Sequence, residues 1–156
     1  MWINQKPKLN EVLQYKNQKV IQVFLRTNPM EESEANLIFE DLLRWLWLCR
    51  THQIKQNHWL QKKSNGLTLY TPMNIIDEMW HSFIICTKDY QEFCHQYLGA
   101  FIHHSPNVNE SVNAQKKEES REDPELKQML HLVLIHFGKE TMQRWFVDYP
   151  EKYASV

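Results

Sequence analysis

Glycine is scarce in this chain of 156 residues: Gly66, Gly99 and Gly138 are all it has. So small a supply of turn residues points to a few long helices joined by few connections. Cysteine is nearly as sparse. Cys49, Cys86 and Cys94 are an odd count, contain no CxxC and sit among apolar neighbours. They fit small buried thiols in a reducing compartment better than a disulfide framework. Charge of one sign is missing as well, for the formal net charge is −1. No basic field advertises nucleic acid or an anionic membrane. The longest apolar run, "LLRWLWLC", is interrupted by Arg44 and is far too short to span a bilayer. The opening "MWINQKPKLNEVLQYK" has no hydrophobic region of signal-peptide type. Nothing resembles a P-loop, a GxGxxG turn or a GxSxG elbow. The expectation is a cytoplasmic protein of one domain, residues 1–156, with neither nucleic acid nor membrane as partner.

What is present is helical periodicity. Leu9, Val12, Leu13, Val20, Ile21 and Phe24 predict a first amphipathic helix that ends before Asn28-Pro29, since the residue before proline is pushed out of the helical region. Glu31, Glu32 and Glu34 then crowd a helix start, where carboxylates complement the dipole. Ile38, Leu42, Trp45, Leu46 and Cys49 follow at helical spacing, and Leu43, Trp47 and Leu48 make the other side apolar too. A helix apolar nearly all round is central, which makes 32–51 the buried helix. "KKSNG" (62–66) reads as a turn, with "LTLYTP" extended after it. Asn74 is placed to cap the next helix, with Asp77 in the capping-box position. That helix carries Ile76, Trp80, Phe83, Ile84 and Thr87 on one face. Tyr90, Phe93, Cys94, Tyr97 and Leu98 continue the pattern, with Thr87 as the cap of a re-angled helix and Gly99 as its C′ residue.

From Ser105 to Asp123 almost nothing is apolar. That composition predicts a mobile loop, because it offers too little apolar area to offset roughly 1–2 kcal/mol per ordered residue. Limited proteolysis should cut there first, and a short Gly/Ser replacement should leave the melting temperature nearly unchanged. Asp123-Pro124 restarts a helix in the N-cap and N1 positions. Leu126, Met129, Leu130, Val133, Leu134 and Phe137 form its seam, and Gly138 ends it. A last helix bears Met142, Trp145, Phe146 and Tyr149 and stops at Pro150. The predicted architecture is all-α: a single-domain bundle of five or six helices around the 32–51 helix.

Between residues 77 and 104, "DEMWHSFIICTKDYQEFCHQYLGAFIHH" gathers four of the eight histidines among aromatic residues. Asp77 and His81 are four apart and therefore share one helix face. A carboxylate there can fix the tautomer of a metal-bound imidazole. Gly99 would let the chain turn back, Phe101 would anchor it on the core, and His103 or His104 would return near His81. Adjacent residues of an extended segment point to opposite sides, so one of that pair would ligate while the other faces outward. Three histidines suffice for a catalytic-type zinc or iron site with open positions. Protonated imidazole cannot ligate, so binding is expected to weaken as pH falls. The competing reading is a core histidine, His81, satisfied by Asp77 within an aromatic core that needs no cofactor. Cys94, on the apolar seam, is read as a buried thiol. His52, His58, His95, His131 and His136 have no partner at informative spacing and are read as surface or capping residues.

Pro72, Asp77, Trp80, His81 and Tyr90, continued by Phe93, Cys94, Gly99 and His103-His104, resemble the core of the glycine-rich domain-containing protein-like family of bacteria and plants. The resemblance spans residues 35–104 and, more loosely, "HFGKETMQRWF". Many members carry WHxH, where this chain has Phe83, and the glycine-rich region of the plant proteins is absent. The resemblance implies a helical fold with a pocket around Trp80-His81, and no particular reaction. Two functional expectations result. One is a divalent metal, zinc or iron, held by His81 and the His103-His104 pair with Asp77 behind His81 or as a fourth ligand, and able to activate water or bind dioxygen. The other is a helical interaction module with structural histidines and a protein partner.

Overall fold

The computed structural model describes residues 5–58, 67–105 and 123–153. Along them run α1 (Leu9–Leu13), α2 (Gln18–Leu25), α3 (Glu32–His58), α4 (Asn74–Ile85), α5 (Thr87–Phe93), α6 (Pro124–Gln143) and α7 (Tyr149–Tyr153). A π turn over Cys94–Leu98 prolongs α5, and another over Arg144–Asp148 joins α6 to α7. No strand occurs among the described residues, and one apolar core unites the helices. The fold is all-α, as the periodicity predicts. Most of the expected 105–123 loop and the "KKSNG" turn lie outside the described residues.

The 27-residue α3 is the axis. Ala35, Ile38, Phe39, Leu42, Leu43, Trp45, Leu46, Trp47 and Leu48 are all buried, because α1, α2 and α4 pack around it. Burying each large side chain contributes about 1.5–3 kcal/mol, so the helix is held by what surrounds it more than by its own propensity. The first expected helix is two. Asn17 interrupts it: its backbone is extended (φ −149, ψ 98) and its side chain accepts the N–H of Val20, starting α2 afresh. A local cap wins over the continuous apolar pattern there.

Two features of the C-terminal part depart from the sequence reading. Gly138 (φ 87, ψ 176) does break α6, but the last helix does not stop at Pro150; it runs on to Tyr153. The wider i→i+5 pitch of the π turn just before Pro150 accommodates its ring and its missing N–H. The second is an ion cluster inside the bundle. Asp41, fully buried, accepts from Arg144 through Nε and Nη2, each at 2.7 Å, from Arg44 at 2.8 Å, and from the Tyr149 hydroxyl. Hydrogen bonding to Asp41 raises the Arg144 guanidinium above its already high range, so it stays charged. At the far end of α7, Lys152 and Tyr153 bond Glu34, fastening the C-terminal helix to α3.

The indole N–H of Trp47 donates to the Pro7 carbonyl at 2.7 Å, and its ring meets His136 edge-on at 5.1 Å. Burial, then Lys6 and Lys55, holds the His136 imidazole below the ordinary histidine range. Burial, then Lys55, does the same to His52. A depressed folded value means that the unfolded chain binds more protons as the medium acidifies. The associated stability is therefore present above the unfolded histidine range, about pH 6.5, and is lost as pH falls through it. The urea midpoint should drop between about pH 7 and pH 5.5. It should drop less in His136→Gln; an equal drop in that variant would assign the acid sensitivity to other groups.

Candidate metal centre

Helix α4 continues directly from a 3-10 turn over Thr71–Met73, with Pro72 in its first turn. Asn74 is consequently already helical (φ −55, ψ −36) and does not cap. The expected capping box is absent, which leaves the Asp77 carboxylate to face elsewhere. Cys86 (φ −79, ψ 64) ends α4, and α5 sets off at a new angle. No side chain caps α5; the amide of Tyr90 bonds the Cys86 carbonyl at 2.9 Å instead of a Thr87 hydroxyl.

Gly99 (φ 74, ψ 5) closes the π turn in the left-handed region that glycine adopts without strain. The chain then returns along α4, and its side chains alternate. Ile102 is buried and His104 half-buried, while Phe101 and His103 are exposed. The anchor is therefore Ile102, not Phe101 as the sequence suggested. Phe101 lies one position out of register and packs edge-on against Tyr90 and His103.

His104 Nε2 stands 2.9 Å from Asp77 Oδ1 and 2.9 Å from His81 Nε2. His81 Nε2 is 3.4 Å from Asp77 Oδ2. All three ligand atoms lie within 4.8 Å of one another. Of the adjacent pair, only His104 joins this group; the His103 ring sits 4.8 Å from that of Phe101 on the other side of the segment. The His81 side chain is 49% exposed, so the cluster opens to solvent on one side. One imidazole N–H can point at one acceptor, yet His104 Nε2 has two neighbours at bonding distance. A cation would satisfy all three atoms together. Asp77 turns Oδ1 to His104 and Oδ2 to His81. Ligand atoms bound to a first-row ion at about 2.0–2.1 Å stand about 2.9–3.4 Å apart, so two imidazole nitrogens 2.9 Å apart beside that carboxylate are a donor set that fits such an ion.

The residues behind this cluster are aromatic. The Trp80 ring stacks on His104 at 4.1 Å and 22°. Its Nε1 donates to the Tyr90 hydroxyl at 3.0 Å, and that hydroxyl donates to the Ile102 carbonyl at 2.6 Å. Burial pushes the Tyr90 phenol well above its usual range, so it remains a donor. Burial raises the Cys94 thiol above its usual range, and the nearby Ile102 backbone offsets part of that rise. Sequence reasoning assigned Tyr90 to the core and missed that it holds the His104 segment; no spacing rule marks a contact between residues twelve apart across a glycine turn. Trp80→Ala should destabilise by about 3–5 kcal/mol, more than His81→Ala, because the indole is almost wholly buried and His81 is half in solvent. Thermal melts of the two variants compare them; a loss no larger for Trp80 would place its ring at a surface.

No curated protein and no solved structure matches the chain. The UCP032817-like family matches residues 8–130. That match overturns the resemblance to the glycine-rich domain-containing protein-like family, of which nothing is found. The resemblance was carried by single residues from Pro72 to His104 within a span of 35–104. Trp80 and Tyr90 among them are buried and hydrogen-bonded to each other, a packing role that does not by itself mark a family. The matched span instead runs from α1 through α5 and into α6, and the chain belongs to the UCP032817-like family.

Proposed function

We propose that the protein binds a divalent first-row metal ion, zinc or iron, through His81, His104 and Asp77, with His103 outside the ligand set. The observation that carries this reading is the convergence of two imidazole nitrogens and a carboxylate on one point, with a single shared proton unable to satisfy them all. Two neutral imidazoles and one carboxylate suit a dication and leave coordination positions on the solvent side. Such an ion can lower the pKa of a bound water for hydrolysis or, if iron, bind dioxygen. The test is metal analysis of untagged protein, followed by titration of the apoprotein with zinc and, without oxygen, with ferrous iron. One equivalent should bind, and a His81→Ala/His104→Ala double variant should bind none. Equal uptake by both proteins would end the proposal.

A second reading, a helical interaction module with structural histidines, draws on the exposed Leu134 and Ile135 of α6. It predicts a protein that takes up no metal and associates through α6, an association that Ile135→Asp should abolish in sedimentation experiments.

A further inference from the structure

Metal-bound histidines are usually oriented by an acceptor on their second ring nitrogen. His104 has none among the described residues: its polar contacts run through Nε2 alone. It also sits on a segment of no regular secondary structure just beyond a glycine turn, where the backbone itself imposes little on the ring. Two other contacts fix it. The indole of Trp80 lies flat against the imidazole and sets its plane. The hydroxyl of Tyr90, itself buried, grips the carbonyl of Ile102 two residues upstream. Because Trp80 Nε1 donates to that same hydroxyl, one oxygen atom ties together the ring that orients His104 and the backbone that carries it. Both of its hydrogen-bonding roles are in use.

We infer that Tyr90 and Trp80 are positioning residues for His104, holding its Nε2 toward Asp77 and His81 so that the three can close on one ion. This rests on the metal reading above. Tyr90→Phe keeps the ring that packs on Phe83 and Phe101 but frees Ile102 and the indole. Removing an outer partner of a metal ligand typically weakens metal binding about 10–100-fold, and that is the loss expected here.

The experiment uses the full chain and cobalt(II), whose visible absorption reports ligand number and geometry. Tyr90→Phe should bind cobalt about 10–100-fold more weakly and with altered visible bands. Val133→Ala, a core change on α6, should lower the melting temperature and leave affinity and spectrum as in the parent. Trp80→Phe, which keeps an aromatic face for His104, should bind more tightly than Trp80→Leu, which removes it; this pair carries the test if Tyr90→Phe does not fold. A parent protein that binds no cobalt overturns the metal reading and the inference with it. A parent that binds, with Tyr90→Phe indistinguishable from Val133→Ala or Trp80→Phe no tighter than Trp80→Leu, leaves the metal reading standing and overturns the positioning role.

Discussion

Asp41→Ala should lower stability by about 3–5 kcal/mol, the usual loss when one partner of a buried ion cluster is removed. For a chain of this size that is about 6–20 °C in melting temperature. Asp41 is fully buried, and its oxygens accept four hydrogen bonds, two of them the paired donation from Arg144. Without it the Arg144 guanidinium loses its paired carboxylate, Arg44 keeps only Glu40 at 3.8 Å, and one of the ties from α3 to α7, the bond from Tyr149, is cut. The change of charge is what matters, not the change of volume. A triple replacement, Asp41→Leu with Arg44→Met and Arg144→Met, should therefore recover most of the loss, since a packed apolar patch avoids desolvating ions altogether. Denaturant melts of the single and triple variants decide it. A single variant within about 1 kcal/mol of the parent, the range of surface pairs, would show that the cluster is hydrated and contributes little.

His104→Ala should weaken metal binding by at least about 100-fold, beyond the loss typical of an outer partner, while His103→Ala should leave it unchanged. The two residues are neighbours with identical side chains, so composition and unfolded-state effects cancel in the comparison. What differs is placement: His104 is half-buried, with Nε2 2.9 Å from both Asp77 and His81, and His103 is exposed and turns to Phe101 on the opposite side. Competition titration against a chromophoric chelator would measure both affinities. Equal losses would mean that the segment swings to use either ring. A loss confined to His103→Ala would put the ligand set on the other side of the segment.

The sequence by itself determined the helices and the core. Apolar residues at i, i+3 and i+4 required amphipathic helices, and the nearly all-round apolar 38–49 stretch could be stable only at the centre, where α3 lies. It also paired Asp77 with His81, because a helix brings positions four apart onto one face whatever surrounds it. Gly99 was legible as a turn for the same kind of reason: its left-handed backbone is a local requirement. Register and distant pairing were not legible. Whether Phe101 or Ile102 faced inward, and hence whether His103 or His104 reached Asp77, hung on the angle at which the chain left Gly99. Tyr90 holds Ile102 on that path, through a contact that no periodicity encodes. Asp41 and Arg144 are 103 residues apart, and their charges look like ordinary surface charges until α3 and the C-terminal helices are packed together. Local spacing is written in the order of residues, while which side chain completes a buried cluster depends on how whole helices are set against one another, and the tertiary structure alone decides that.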